Sequence, residues 1–228
     1  VRQSAVEKAE PAGDAAPRQG GRAAWISLSL VLLAALAARL IELDASFWYD
    51  EVLTWRRAHM PLAGMMRLGY PLANMLAAPG LWLADAEWAL RLYSVLAGVA
   101  AAAAAFALGR RWLSLGAGIA AASFIALCVS QVEYSQEARY YALLTLILAL
   151  TIWVADRLAE GVRLRDAVLF VPLVLIGSLT HLFYLVYLAP VMAAVALWIL
   201  LGRPVSLRKG EGVVEEPPSL KRRIAAIA

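Results

Sequence analysis

The sequence predicts an all-α polytopic membrane protein, with about six transmembrane helices and a long first external loop carrying juxtamembrane helices. Three observations carry this. First, 62% of the 228 residues are apolar and 17% are charged, against about 45–50% apolar in soluble domains, and the mean hydropathy is +0.69. Second, the apolar residues fall in long runs, and six spans of ~20 residues would absorb about 120 of them. Third, the basic residues cluster between the runs, which fixes sidedness. The composition excludes a soluble enzyme, a disordered tail, a collagen-like chain and a disulfide scaffold. Cys128 is the only cysteine and has no intrachain partner. The net charge of +4 does not signal nucleic-acid binding, because in a membrane protein the placement of basic residues is what counts.

Residues 1–22 are rich in Ala, Gly, Pro, Gln and charge and read as a disordered cytoplasmic tail. The transmembrane domain is expected over 23–201. Its first run, 23–40, is longer than the 7–15-residue core of a signal peptide and reads as an uncleaved anchor. Runs follow at 88–108, 112–130, 140–155 and 167–201. The last is too long for one span and is interrupted by Gly177-Ser178-Leu179-Thr180-His181, so two short helices meeting at a polar turn are expected. Sidedness supports the split. Arg110 and Arg111 form one basic loop; Arg157, Arg163 and Arg165 a second; Arg203, Arg208, Lys209, Lys221, Arg222 and Arg223 a third. All three can be cytoplasmic only if an even number of spans separates each pair. Both ends then lie inside, and 42–87, 131–139 and a turn near 178–182 lie outside. Residues 202–228 read as a cytoplasmic loop and the start of a further span. With Val1 at the other end, this suggests part of a longer protein.

The 42–87 loop is long enough to expect function in it. Residues 51–68 read as an amphipathic surface helix broken near Pro61. Residues 71–84 are apolar but too short to span, which suits a re-entrant or interfacial helix. Phe47, Trp48 and Tyr49 sit where an aromatic belt belongs. Arg91 reads as a snorkelling boundary residue, and Met60, Met65, Met66 and Met75 as interfacial packing.

Three polar groups share the outer side. Asp50-Glu51 leaves the first span beside aromatic surface, where reduced solvation makes a carboxylate a better base; the alternative is a solvated acidic pair at a helix N-terminus. Tyr134, Gln136, Glu137 and Arg139 form a second group. There Arg139 can neutralise a phosphate and Glu137 can hold sugar hydroxyls, or the two can simply pair. His181 with Tyr184 is the third, as a ligand or as a satisfied structural histidine. A divalent metal stays open, since Asp and Glu are present but no spacing demands one.

Phe47-Trp48-Tyr49-Asp50-Glu51-Val52-Leu53-Thr54 resembles the "WYDE" signature of GT-C type membrane glycosyltransferases. The closest branch is the dolichyl-phosphate-mannose protein mannosyltransferase-like group, which includes the lipid A aminoarabinose transferases. Tyr134-Ser135-Gln136-Glu137-Ala138-Arg139-Tyr140-Tyr141-Ala142-Leu143 is similar to that group's "YSQEARMYAL" segment. Ala89-Leu90-Arg91-Leu92-Tyr93-Ser94 resembles its "ALRLLS" helix start, Gly109-Arg110-Arg111-Trp112 its "GRRLF" turn, and Thr180-His181-Leu182-Phe183-Tyr184 its "THYF" turn. The resemblance runs in order from about residue 40 to 201. One motif departs: Gly69-Tyr70-Pro71-Leu72-Ala73-Asn74 stands where the family has "HPPLYY" or "DPPLYY", so Tyr70 and Asn74 supply the hydrogen bonds there. The family is also about twice as long as this chain.

The resemblance implies a polyprenyl-phosphate sugar donor and a lipid, glycan or protein acceptor outside the cytoplasm of a bacterial inner membrane. It implies Asp50 as general base, with Glu51 as a supporting acid. It implies Glu137, Arg139, Tyr134, Gln136, His181, Tyr70, Arg56 and Arg57 as substrate-binding residues, with Arg139 nearest the leaving phosphate. Membrane lipids and other membrane subunits are expected partners. A non-catalytic membrane subunit and a transporter of lipid-linked sugar are the rival readings.

Overall fold

Runs of Ala and Leu without polar interruption favour long helices, and the computed structural model, which describes residues 18–68, 71–160 and 163–201, is mostly helical there, with no strand among the described residues. The helices are α1 (Arg18–Leu40), α2 (Tyr49–Ala58), α3 (Leu62–Met65), α4 (Pro71–Ala77) followed by a 3₁₀ turn (Ala78–Trp82), α5 (Glu87–Trp112), α6 (Leu115–Leu127), α7 (Val129–Ser135), α8 (Tyr141–Glu160), α9 (Leu164–Thr180) and α10 (Phe183–Leu201).

Helix α5 is the centre of the bundle. It packs on α1, α6 and α8, while α9 and α10 pack on α8. Two glycines let α5 and α6 close into a tight hairpin. A Cβ at Gly118 would stand 2.7 Å from the Phe106 carbonyl oxygen, and one at Gly109 would stand 2.8 Å from that of Ala117. Ser114 starts α6, its hydroxyl accepting from the Ala117 amide at 3.2 Å. Tyr184 of α10 is fully buried against α8, its hydroxyl 2.9 Å from that of Thr151. Much of the rest faces outward apolar: Trp25, Ile26, Leu30 and Leu33 on α1, and Val168, Leu169, Val171 and Leu175 on α9. Such surface suits hydrocarbon rather than water.

Among the described residues, three helices are long and apolar enough to cross a membrane: Arg22–Leu40, Glu87–Trp112 and Tyr141–Ala159. A fourth candidate is α6 with α7, if the pair counts as one span bent by 58°. The 167–201 run does divide, at His181 and Leu182, into α9 and α10. However, α9 has 17 residues, short of the ~20 residues of an upright span, and α10, 19 residues long with Pro190 inside it, is not one of the three. The expected boundaries also shift. Helix α1 begins at Arg18, so residues 18–22 are helix rather than tail, and 131–135 belong to α7 rather than to a loop. Residues 1–17 and 202–228, with the third basic group, lie outside the described residues, as does Tyr70.

The surface helix breaks where Pro61 was expected to break it, between α2 and α3. Charge collects at the two ends of α5. Near its start, Arg91 pairs with Glu51; in its last turn, Arg111 pairs with Asp156, close to where Arg157 meets Asp166 at 2.8 Å. Twenty helical residues separate the two arginines, about 30 Å at ~1.5 Å per residue, which matches the hydrocarbon thickness of a bilayer.

Candidate functional site

The end of the bundle where α2 meets the start of α5 is organised by Glu51. As the third residue of α2, its Oε2 accepts from the Trp48 amide at 3.1 Å, closing the helix N-terminus. Arg91 donates to both carboxylate oxygens, Nε to Oε1 at 2.8 Å and Nη2 to Oε2 at 2.6 Å. The Ala138 amide adds a third tie, to Oε1 at 2.7 Å. The carboxylate is 0% exposed. Burial alone would raise its pKa, but the Arg91 hydrogen bonds, the two amides and the Arg91 charge together hold it below the ordinary value. Arg91 is correspondingly buried, not snorkelling, and its Nη1 also donates to the carbonyls of Leu43 and Ala45 at 2.8 and 2.7 Å. Glu51 therefore joins α2, α5 and the strap 136–140 and does not face the site.

With Glu51 turned inward, its neighbour Asp50 turns outward, because successive helical residues point about 100° apart. Asp50, Leu53, Thr54 and Arg57 form one face of α2, at helical spacing, and line a cavity of about 180 Å³. Ala73 and Asn74 of α4, Arg139 and Tyr140 of the strap and His181 at the α9–α10 break complete its wall.

The Arg139 Nη2 lies 3.1 Å from Asp50 Oδ2, and Nη1 lies 3.8 Å from Glu137 Oε2. Its guanidinium carbon sits 4.8 Å from the centroid of the Tyr141 ring, a cation–π distance. Its backbone carbonyl accepts from the Ser94 hydroxyl at 3.2 Å. Glu137 is half-buried, and its Oε2 is buried without a hydrogen-bond donor. Burial raises its pKa, with Arg139 opposing. His181 stacks on Tyr140 at 4.0 Å and 14°, and its Nδ1 accepts the Phe183 amide at 3.2 Å, which places the proton of the neutral ring on Nε2. Burial, and then Arg139, lower the His181 pKa.

Five of the residues picked out from sequence thus share one cavity: Asp50, Arg57, Asn74, Arg139 and His181. Others have different places. Gln136 caps α1, its Nε2 donating to the carbonyls of Ala38 and Ile41 at 3.2 and 2.6 Å. Tyr134 packs on Tyr141 with centroids 4.5 Å apart. Arg56 is exposed on α2 and is not part of the cavity wall. Thr54 joins the wall without having been singled out; its spacing from Asp50 was the available signal. Among the described residues, no group of three or more His, Cys, Asp or Glu side chains could hold a metal ion. The chain matches no family model, no curated protein and no solved structure.

Proposed function

We propose that the chain is a GT-C-like glycosyltransferase domain that moves a sugar from a polyprenyl-phosphate donor to an acceptor hydroxyl on the extracytoplasmic side of a bacterial inner membrane. The observation that carries this reading is the Asp50–Arg139 pair, a carboxylate and a guanidinium 3.1 Å apart on the wall of one cavity that also holds Arg57. Inverting transfer needs a base at the acceptor and positive charge at the leaving group. Asp50 takes the acceptor hydroxyl proton as that oxygen attacks the anomeric carbon. The bond from the anomeric carbon to the phosphate oxygen breaks, and its electron pair leaves with the phosphate. Arg139 and Arg57 balance that charge, and Tyr140, His181 and Asn74 supply a ring face and hydrogen bonds for the sugar. In this reading α1, α5, the bent α6–α7 pair, α8, α9 and α10 are six spans, with the N-terminus cytoplasmic.

Transfer from a short-chain polyprenyl-phosphate sugar by the protein in nanodiscs tests this. Asp50→Asn should lower the rate by about 10²–10⁴-fold, the usual contribution of a general base. An unchanged rate removes Asp50 as the base. Donor binding without transfer by the wild type points instead to a non-catalytic membrane subunit, and flipping without transfer to a transporter.

A further inference from the structure

Arg39, in the last turn of α1, is 0% exposed and has no carboxylate partner among the described residues. A buried charge must be satisfied by something, and here backbone carbonyls do it. Nη1 donates to Ala126 O at 2.9 Å and to Ala35 O at 3.0 Å; Nη2 donates to Ile125 O at 2.9 Å and reaches Gln131 O at 3.4 Å. These carbonyls lie on both sides of one feature. Ile125 and Ala126 end α6, Gln131 belongs to α7, and between them Cys128 adopts an extended backbone (φ −61°, ψ 122°) that bends the pair by 58°. A helix end leaves its last carbonyls without partners, and here the guanidinium supplies donors to them, with the Ser135 hydroxyl also donating to Gln131 O at 2.6 Å. The α5 backbone makes room for it: a Cβ at Gly98 would collide with Ser135 Oγ and stand 2.6 Å from Arg39 Nε. The exchange is mutual, since Gln136, just past α7, caps the end of α1 through the carbonyls of Ala38 and Ile41. Gln136 opens the 136–140 strap that carries Glu137 and Arg139.

We infer that Arg39 is a positioning residue: by bridging the carbonyls on both sides of the α6–α7 elbow, it fixes the direction of α7 and so places the Arg139 guanidinium in the cavity. The inference concerns how the site is held and rests on the proposed function only for its binding readout. The test uses the full chain in nanodiscs, with geranyl phosphate as the anionic probe and amide hydrogen exchange as an independent measure. Arg39→Met should speed exchange across 129–141, including the Ala138 amide, and leave α8 and α5 protected. It should weaken geranyl phosphate binding about as much as Arg139→Met does, and the double variant should bind no worse than either single one, because coupled residues are non-additive. Thr151→Val, which breaks a buried hydrogen bond elsewhere in the bundle, should lower stability without that coupling. If Arg39→Met does not fold, Arg39→Lys carries the test, since one amine cannot reach both sides of the elbow; its exchange and binding should fall between wild type and Arg139→Met. Unchanged exchange across 129–141 overturns the inference, as do multiplicative losses in the double variant. If the wild type does not bind geranyl phosphate, the proposed function fails while the exchange data still decide the role of Arg39.

Discussion

Glu51 and Arg91, forty residues apart in sequence, form a buried two-pronged ion pair, 2.8 and 2.6 Å long, at the point where α2, α5 and the 136–140 strap meet. Removing one partner leaves the other charged and buried. Glu51→Ala is expected to destabilise the fold by about 3–5 kcal/mol, and the double variant Glu51→Ala/Arg91→Met to recover a large part of that. Denaturant unfolding in detergent measures both; a loss under about 1 kcal/mol, the range of a surface pair, would contradict the pairing.

The same carboxylate sets an acid limit. The folded-state pKa of Glu51 lies below its unfolded value, so its contribution is fully present above the unfolded pKa and is lost as pH falls through the folded one. The unfolding midpoint of wild type minus that of Glu51→Gln should therefore hold steady from neutral pH down to the ordinary glutamate range and shrink as pH falls through that range and below it.

Glu137 should show the opposite slope. Burial raises its folded pKa, so the folded state holds its proton longer than the unfolded chain, and stability falls as pH rises through the carboxylate range. Glu137→Gln removes this fall. Unfolding curves of the two proteins between pH 4 and 8 should diverge as pH rises, with the variant the more stable at the upper end.

His181 offers a direct reading of the site. Its imidazole should titrate below 6.5 by NMR, because burial and then Arg139 disfavour the cation. In Arg139→Gln the midpoint should move up but stay below 6.5, since burial is the larger cause. A midpoint unmoved by the loss of Arg139 would separate the two residues.

The α5–α6 hairpin predicts a size limit. Gly118→Leu places a side chain where the α5 backbone already sits, 2.7 Å from the Phe106 carbonyl. Overpacking of this kind costs about 1–3 kcal/mol, and the thermal midpoint should drop accordingly, whereas Gly116→Leu, whose Cβ would meet only the Ser114 hydroxyl at 3.8 Å, should be nearly neutral.

What the sequence revealed follows from which forces act locally. Apolar runs make helices wherever they fall, so α1, α5 and α8 were legible, and Pro61 broke the surface helix because a proline lacks its amide. The bend at Cys128 carries no glycine or proline; it is held by Arg39 from another helix, a contact 87 residues distant that no local pattern records. The neighbouring acids show the same division. Sequence marked Asp50-Glu51 as a unit, but only Arg91 decides which of the two faces inward. Gln136 and Tyr134 were chosen with Arg139 from one motif, yet their partners, the end of α1 and the Tyr141 ring, turn them to structural tasks.

The arginines at the two ends of α5 also make that helix a ruler. Each is paired with an acid on another helix, Arg91 with Glu51 and Arg111 with Asp156. Lipids with longer acyl chains would draw one of these ion pairs into hydrocarbon unless the whole bundle tilts or the membrane thins around it. A helix paired at both ends in this way would tie the geometry of the cavity to the thickness of a bilayer around it.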